Sequence, residues 1–146
     1  MIPVSSPMID ASDIESVTKA LESGDIAGSS PIVSEFEKQY ANFVGRQHGI
    51  GVSNGTTALE LALKVTGLGP GDEVITPPIT FVATQATAAL FGATIVFADV
   101  QSDTANIDPQ AVEAAITSRT KAIVAVDYAG HPADLDKLRS IADKYG

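Results

Sequence analysis

The sequence has no cysteine and no tryptophan. Without cysteine there is no disulfide framework, zinc-thiolate site, iron-sulfur cluster or cysteine nucleophile. That absence fits a reducing compartment, and a cytoplasmic location is expected. Basic residues are scarce: 9 Lys+Arg stand against 18 Asp+Glu, a net charge of −9. Such a field repels phosphate backbones, so no nucleic-acid partner is expected. A single phosphate held by backbone amides is still compatible with it. Apolar stretches are broken by Thr, Gln and Gly before they reach membrane-spanning length, so no membrane partner is expected. The opening stretch MIPVSSPMIDASDIES has no basic segment followed by an apolar run, and no signal peptide is expected. The two histidines, His48 and His131, make no metal-ligand pattern, and no metal is expected.

What is present fits one globular domain. The chain has 146 residues, 45% of them hydrophobic, which excludes a disordered tail. A chain of this size buries roughly 70% of its unfolded surface. Charged residues are only 18%, which points to surface covered by a partner.

Residues 1–46 read as a helical amino-terminal segment and 47–146 as βα repeats. Asp10 caps a first helix with Ile14, Val17 and Leu21 at helical spacing, stopped by Gly24. Ser30-Pro31 opens a second, with Val33, Phe36, Tyr40, Phe43 and Val44 on one stripe and Gly45 at its end. From His48 the pattern alternates: a strand in HGIGVS, a buried helix over 58–66, a strand EVIT, a small-residue helix over 82–91, a strand TIVFADV, a helix opened by Asp108-Pro109, a strand KAIVAV, and a helix opened by Pro132-Ala-Asp-Leu. Short apolar strands joined by helices imply a parallel sheet with right-handed crossovers. The fold class expected is α/β, three-layer, with a mostly parallel sheet and helices on both faces.

In such sheets ligands bind beyond the carboxyl ends of the strands. The turn Ser53-Asn54-Gly55-Thr56-Thr57 lies at such an end and opens a helix. Its free amides and helix dipole make either a phosphate cradle or an ordinary turn with polar caps. It matches neither a Walker loop nor a dinucleotide fingerprint. Phe81, in PPITF after EVIT, is either core or a face on which a planar ring stacks. Asp127, Tyr128 and His131 are capable of proton chemistry, but their loop also reads as a simple lead into a helix. The loop Gly24-Asp25-Ile26-Ala27 either closes over a ligand or merely joins two helices.

The order SGDIAGSSPIVSEFEKQYANFVG, GVSNGTTALELAL, GLGPGDEVITPPITFVAT, GATIVFADV and NIDPQAVEAAITSRTKAIVAVDYAGHPADLDKL resembles the amino-terminal part of a DegT/StrS-type nucleotide-sugar aminotransferase. These are pyridoxal 5'-phosphate (PLP) enzymes of fold type I, so the chain would be an incomplete PLP-transferase large domain. PPITFVAT with VDYAG resembles the branch that aminates UDP-linked 4-keto-6-deoxy sugars, as in pseudaminic acid synthesis. The resemblance implies that Thr56 and Thr57 hold the cofactor phosphate and Phe81 stacks on its ring. Gly55 joins that site and, with Gly24, Asp25, Ile26 and Ala27, faces the substrate. Val4 stands where some relatives place an aromatic against the sugar nucleotide. It also implies a homodimer, a nucleotide-linked keto sugar as acceptor, and glutamate as donor.

The aspartate that pairs with the pyridine nitrogen and the Schiff-base lysine have no match here. Lys19, Lys38, Lys64, Lys121, Lys137 and Lys144 all fall on helices or at a strand start, so the chain alone is expected to be catalytically incomplete, with no catalytic residue of its own. The alternative reading is a non-catalytic, truncated and oligomeric protein that binds a phosphate-bearing ligand or a partner.

Overall fold

A computed structural model describes residues 6–146. Val4 lies outside the described residues. The chain forms two compact units, Met1–Gly51 and Val52–Gly146.

The first unit holds α1 (Ala11–Ser23) and α2 (Pro31–Phe43). Asp10 accepts from the amides of Ser12 and Asp13, and Asp13 returns a bond to the Asp10 amide at 2.9 Å, closing a capping box. The Ser12 hydroxyl, with those amides, lowers the Asp10 pKa. Gly24 ends α1 with φ 70, a left-handed cap that favours glycine. Ser30 precedes α2 as expected, but its hydroxyl makes no capping bond. The apolar stripes of both helices are exposed, and Phe36 and Tyr40 stack with centroids 5.9 Å apart.

The strand expected in HGIGVS does not form. A strand needs a neighbour for its ladder, and here the Gly51 amide bonds instead to the Glu37 carboxylate at 2.7 Å. Gly49 lies so close to the Glu37 carbonyl that any Cβ would collide with it.

The second unit runs α3 (Gly55–Val65), β1 (Glu73–Thr76), α4 (Ala83–Leu90), β2 (Thr94–Phe97), α5 (Pro109–Ala115), β3 (Thr120–Ile123) and α6 (Leu135–Tyr145). The strands form a parallel sheet in the order β2-β1-β3. Successive residues of a strand face opposite sides, and this divides the core. Ile75 joins Val112 of α5 and Leu138 and Ile141 of α6 on one face. Val74 joins Leu63 of α3 and Ala88 of α4 on the other. The three-layer α/β expectation therefore holds. Val74 and Ile75 are fully buried, each contributing about 2 kcal/mol of apolar burial.

Several boundaries differ from the sequence reading. β2 and β3 are four residues each, shorter than TIVFADV and KAIVAV. Their partner β1 ends at Thr76, and the following Pro77-Pro78 has no amide to extend the ladder. Only β1 is buried along its whole length, because the flanking strands are edges. α3 was expected to be buried on several faces, but only Leu63 is; Val65 on another face is 77% exposed.

The amino end of the sheet is tied by Glu73, which is 3% exposed. Its carboxylate accepts from the Thr117 hydroxyl at 2.5 Å, from Arg119 Nε at 3.0 Å and from Arg119 Nη2. The Thr117 bond leads in lowering the Glu73 pKa, with Arg119 adding to it against the cost of burial.

Candidate functional site

Leu63, near the end of α3, packs with Val74 of β1. Phe81 follows the carboxyl end of β1 through Pro77-Pro78-Ile79-Thr80.

α3 begins at Gly55, so Gly55, Thr56 and Thr57 are its first three residues. Asn54 is the cap, and its Oδ1 accepts from the Thr57 amide at 3.0 Å. The Thr57 hydroxyl lies 3.2 Å from Ser53 Oγ and 3.3 Å from Asn54 Oδ1. The sequence reading counted Thr57 among the free donors of this turn. The structure corrects that for its amide, which Asn54 occupies. The amides of Gly55 and Thr56 have no acceptor among the described residues. Both residues are exposed, and the space where a Gly55 Cβ would stand has no neighbour within 4 Å. Two amides without an acceptor, an open approach and the positive end of a helix are the features an anion site requires.

Phe81 is 74% exposed, so the core alternative left open by the sequence is excluded within this chain. Its carbonyl accepts from the Thr84 amide at 3.0 Å, and Thr80 and Thr84 share a hydroxyl bond at 2.9 Å. The first turn of α4 thus fixes the backbone that carries the ring.

Gly24, Asp25, Ile26 and Ala27 lie in the connection between α1 and α2, in the first unit, and are exposed. The Asp25 amide bonds to the Ser23 hydroxyl at 3.1 Å.

Asp127, Tyr128 and His131 lie on the loop beyond β3. The sequence reading did not single out Asn106, the residue that organises this loop. Asn106 is 2% exposed. Its Oδ1 accepts from the Tyr128 amide at 2.9 Å, and its Nδ2 donates to the carbonyls of His131 and Pro132 at 2.9 and 3.0 Å. Asp127 Oδ1 accepts from the Ala133 amide at 2.9 Å. Ala105 and Ala129 have positive φ, 58 and 52, a conformation that costs energy for a residue with a Cβ. The signal available in the sequence was an asparagine two residues ahead of the Asp108 helix cap.

Two lysines of α6 are committed to carboxylates. Lys137 pairs with Asp134 and Lys144 with Glu113, each at 2.6 Å. Both lysine pKa values are raised, first by the hydrogen bond to Asp134 and to Glu113 respectively. An amine that serves as a nucleophile needs the opposite shift. Lys121 lies at the amino end of β3, and Lys64 in the last turn of α3, away from the Gly55 end.

A parallel sheet covered by helices on both faces defines the α/β class, in which ligands bind beyond the carboxyl ends of the strands. Within that class the chain belongs to the DegT/DnrJ/EryC1/StrS aminotransferase family, whose description matches residues 7–146. It is similar to the spore coat polysaccharide biosynthesis protein SpsC of Bacillus subtilis (strain 168), 48% identical over 145 residues, which are 99% of this chain and 37% of that protein. Among solved structures, 3-amino-5-hydroxybenzoic acid synthase is 42% identical with a TM-score of 0.86, over 96% of this chain and 37% of that one. Spr1654 of Streptococcus pneumoniae, described as a sugar aminotransferase and solved in its PLP form, is 38% identical with a TM-score of 0.90, over 98% and 36%. The chain thus spans little more than a third of the length of these relatives.

Proposed function

We propose that this chain is the cofactor-phosphate and ring-stacking portion of a PLP-dependent aminotransferase that moves an amino group from glutamate to a nucleotide-linked keto sugar. The observation that carries the reading is the pair of amides at Gly55 and Thr56 without an acceptor among the described residues, with an exposed Phe81 in the connection that follows β1. The residues present fit the cofactor. The Gly55 and Thr56 amides and the Thr56 hydroxyl would hold the phosphate, and the Thr57 hydroxyl adds a further polar group at the same turn. The Phe81 ring would cover one face of the pyridine. PLP, when bound, supplies the electron sink for amino transfer. The protein's part here is to fix the cofactor's orientation and shield one face from water.

The sugar acceptor is supported by the names of SpsC and Spr1654. 3-Amino-5-hydroxybenzoic acid synthase is named for a different product, so family membership alone does not select the sugar. The UDP-linked 4-keto-6-deoxy branch rests on PPITFVAT and VDYAG. The loop Gly24 to Ala27 is assigned to the substrate on the family pattern. The exposed apolar stripes of α1 and α2 support a homo-oligomer. Among the described residues no helix is long and apolar enough to cross a membrane; a cytoplasmic location belongs to the same proposal. With its lysines paired or placed as above, this chain alone transfers no amino group.

The test is calorimetric titration with PLP, with pyridoxal lacking the phosphate, and with inorganic phosphate. PLP and phosphate should bind and pyridoxal should not. Phe81→Ala should weaken PLP about tenfold, worth roughly 1.4 kcal/mol of stacking, and leave phosphate unchanged. Borohydride should label no single lysine stoichiometrically. Equal binding of pyridoxal and PLP would defeat the reading.

A further inference from the structure

The chain has three asparagines, Asn42, Asn54 and Asn106, and only Asn54 is followed by glycine. The side-chain amide of an asparagine is open to attack at Cγ by the backbone nitrogen of the next residue. The attack needs a side chain that water can reach, a following amide not held in another bond, and room for the backbone to turn the two together.

Asn54 meets all of these conditions. Asn54 and Gly55 are exposed. The Gly55 amide has no acceptor among the described residues. Asn54 is extended, with ψ 173, and nothing within 4 Å of a Gly55 Cβ position obstructs rotation away from that angle. What opposes the attack is the cap: Oδ1 accepts from the Thr57 amide at 3.0 Å, and Nδ2 donates to Ser53 Oγ at 3.2 Å. A capping bond of this kind favours the bonded state by only about fivefold, so the released side chain is continually visited. Attack then develops negative charge on the Gly55 nitrogen and the side-chain oxygen, beside the positive end of α3, which stabilises it. The other asparagines fail the same conditions. The Phe43 amide that follows Asn42 is bound within α2. Asn106 is 2% exposed, and its side chain makes three hydrogen bonds.

We propose that Asn54 is a deamidation site, with Gly55 as the attacking residue, and that its conversion closes the first turn of α3 to anions. The Gly55 nitrogen bonds to Asn54 Cγ, the Cγ–Nδ2 bond breaks, and ammonia leaves with the former Gly55 proton delivered through solvent. The product is a cyclic succinimide. Water opens it at either carbonyl to give aspartate or isoaspartate, so water is consumed, ammonia is released and nothing is oxidised or reduced. Aspartate keeps the cap, because its carboxylate accepts as the amide did. Its charge, however, stands against any anion at the Gly55 and Thr56 amides. Isoaspartate routes the main chain through the side-chain carbon and displaces the turn itself. The conversion rests on the geometry of the turn alone, whereas its consequence for anions rests on the proposed cofactor-phosphate site.

The experiment incubates the full 146-residue chain at mildly alkaline pH without phosphate. Peptide mass spectrometry follows conversion, with chromatography that separates aspartate from isoaspartate. Asn54 should convert at least about tenfold faster than Asn42 or Asn106, whose reactions must first break additional bonds. Gly55→Ala is accommodated without a positive φ or a close neighbour, and its Cβ should slow conversion at least about tenfold by restricting the turn. Calorimetry should show Asn54→Asp, the product made directly, binding inorganic phosphate at least about tenfold more weakly than the parent. Asn54 converting no faster than Asn42, or Gly55→Ala converting at the parent's rate, would overturn the proposed site. Equal phosphate binding by Asn54→Asp and the parent would overturn the consequence. A parent that binds no phosphate would defeat the cofactor-phosphate reading and that consequence together, while the phosphate-free conversion still decides the site.

Discussion

Asn106 gives the sharpest perturbation. Its side chain makes three hydrogen bonds across more than 20 residues of sequence, all to the backbone of the 128–132 segment. Asn106→Ala leaves one amide and two carbonyls without those partners. At about 1 kcal/mol per lost bond the cost is roughly 3 kcal/mol. Asn106→Asp preserves the shape and separates hydrogen bonding from packing. One oxygen of the new carboxyl still accepts from Tyr128, but the other meets two carbonyls that need a donor. The ionised form is disfavoured there, so the folded-state pKa of that carboxyl is raised above its unfolded value. A group shifted in this way costs stability above its unfolded pKa, and the cost disappears as pH falls and the proton is taken up. Urea unfolding followed by circular dichroism should show both variants destabilised by about 3 kcal/mol at neutral pH. The deficit of Asn106→Asp relative to the parent should shrink toward pH 4, and that of Asn106→Ala should not. Deficits below about 0.5 kcal/mol, or a pH-independent Asn106→Asp deficit, would refute the assigned bonding.

Thr76→Val removes the one buried side-chain hydroxyl without a partner among the described residues at nearly constant shape, and should raise the urea midpoint by the equivalent of about 1 kcal/mol. Asn54→Ala removes the α3 cap and should cost about 1 kcal/mol in the same assay. The Glu73 carboxyl, held below its ordinary value of 4.5, stabilises the fold fully above that pH and loses its contribution as pH falls through the lowered folded value. Glu73→Gln should flatten that part of the acid-unfolding curve; an unchanged curve would show that the pairing does not survive in solution.

The periodic elements were legible in the sequence because the signals are local. Asp10, Gly24, Pro31 and Asp108 mark helix ends by their own backbone chemistry, and EVIT is a short stretch centred on the β-branched Val74 and Ile75 and closed by two prolines. HGIGVS failed because strand formation depends on a distant partner, and in its place a glutamate on α2 takes the Gly51 amide. The turn at Gly55 was legible as the opening of a helix, whereas the occupation of the Thr57 amide by Asn54 depends on a side-chain rotamer. The roles of Asn106 and Glu73 depend on contacts 22 to 46 residues away, which no short window contains.

The central claim is that an anion binds at the free amides of α3. Amide NMR during titration with PLP, inorganic phosphate and pyridoxal tests it residue by residue. PLP and phosphate should move the Gly55 and Thr56 resonances most, with Thr57 moving less because Asn54 holds its amide, and pyridoxal should leave all three in place. Shifts confined to other residues, or none at saturating phosphate, would contradict the account.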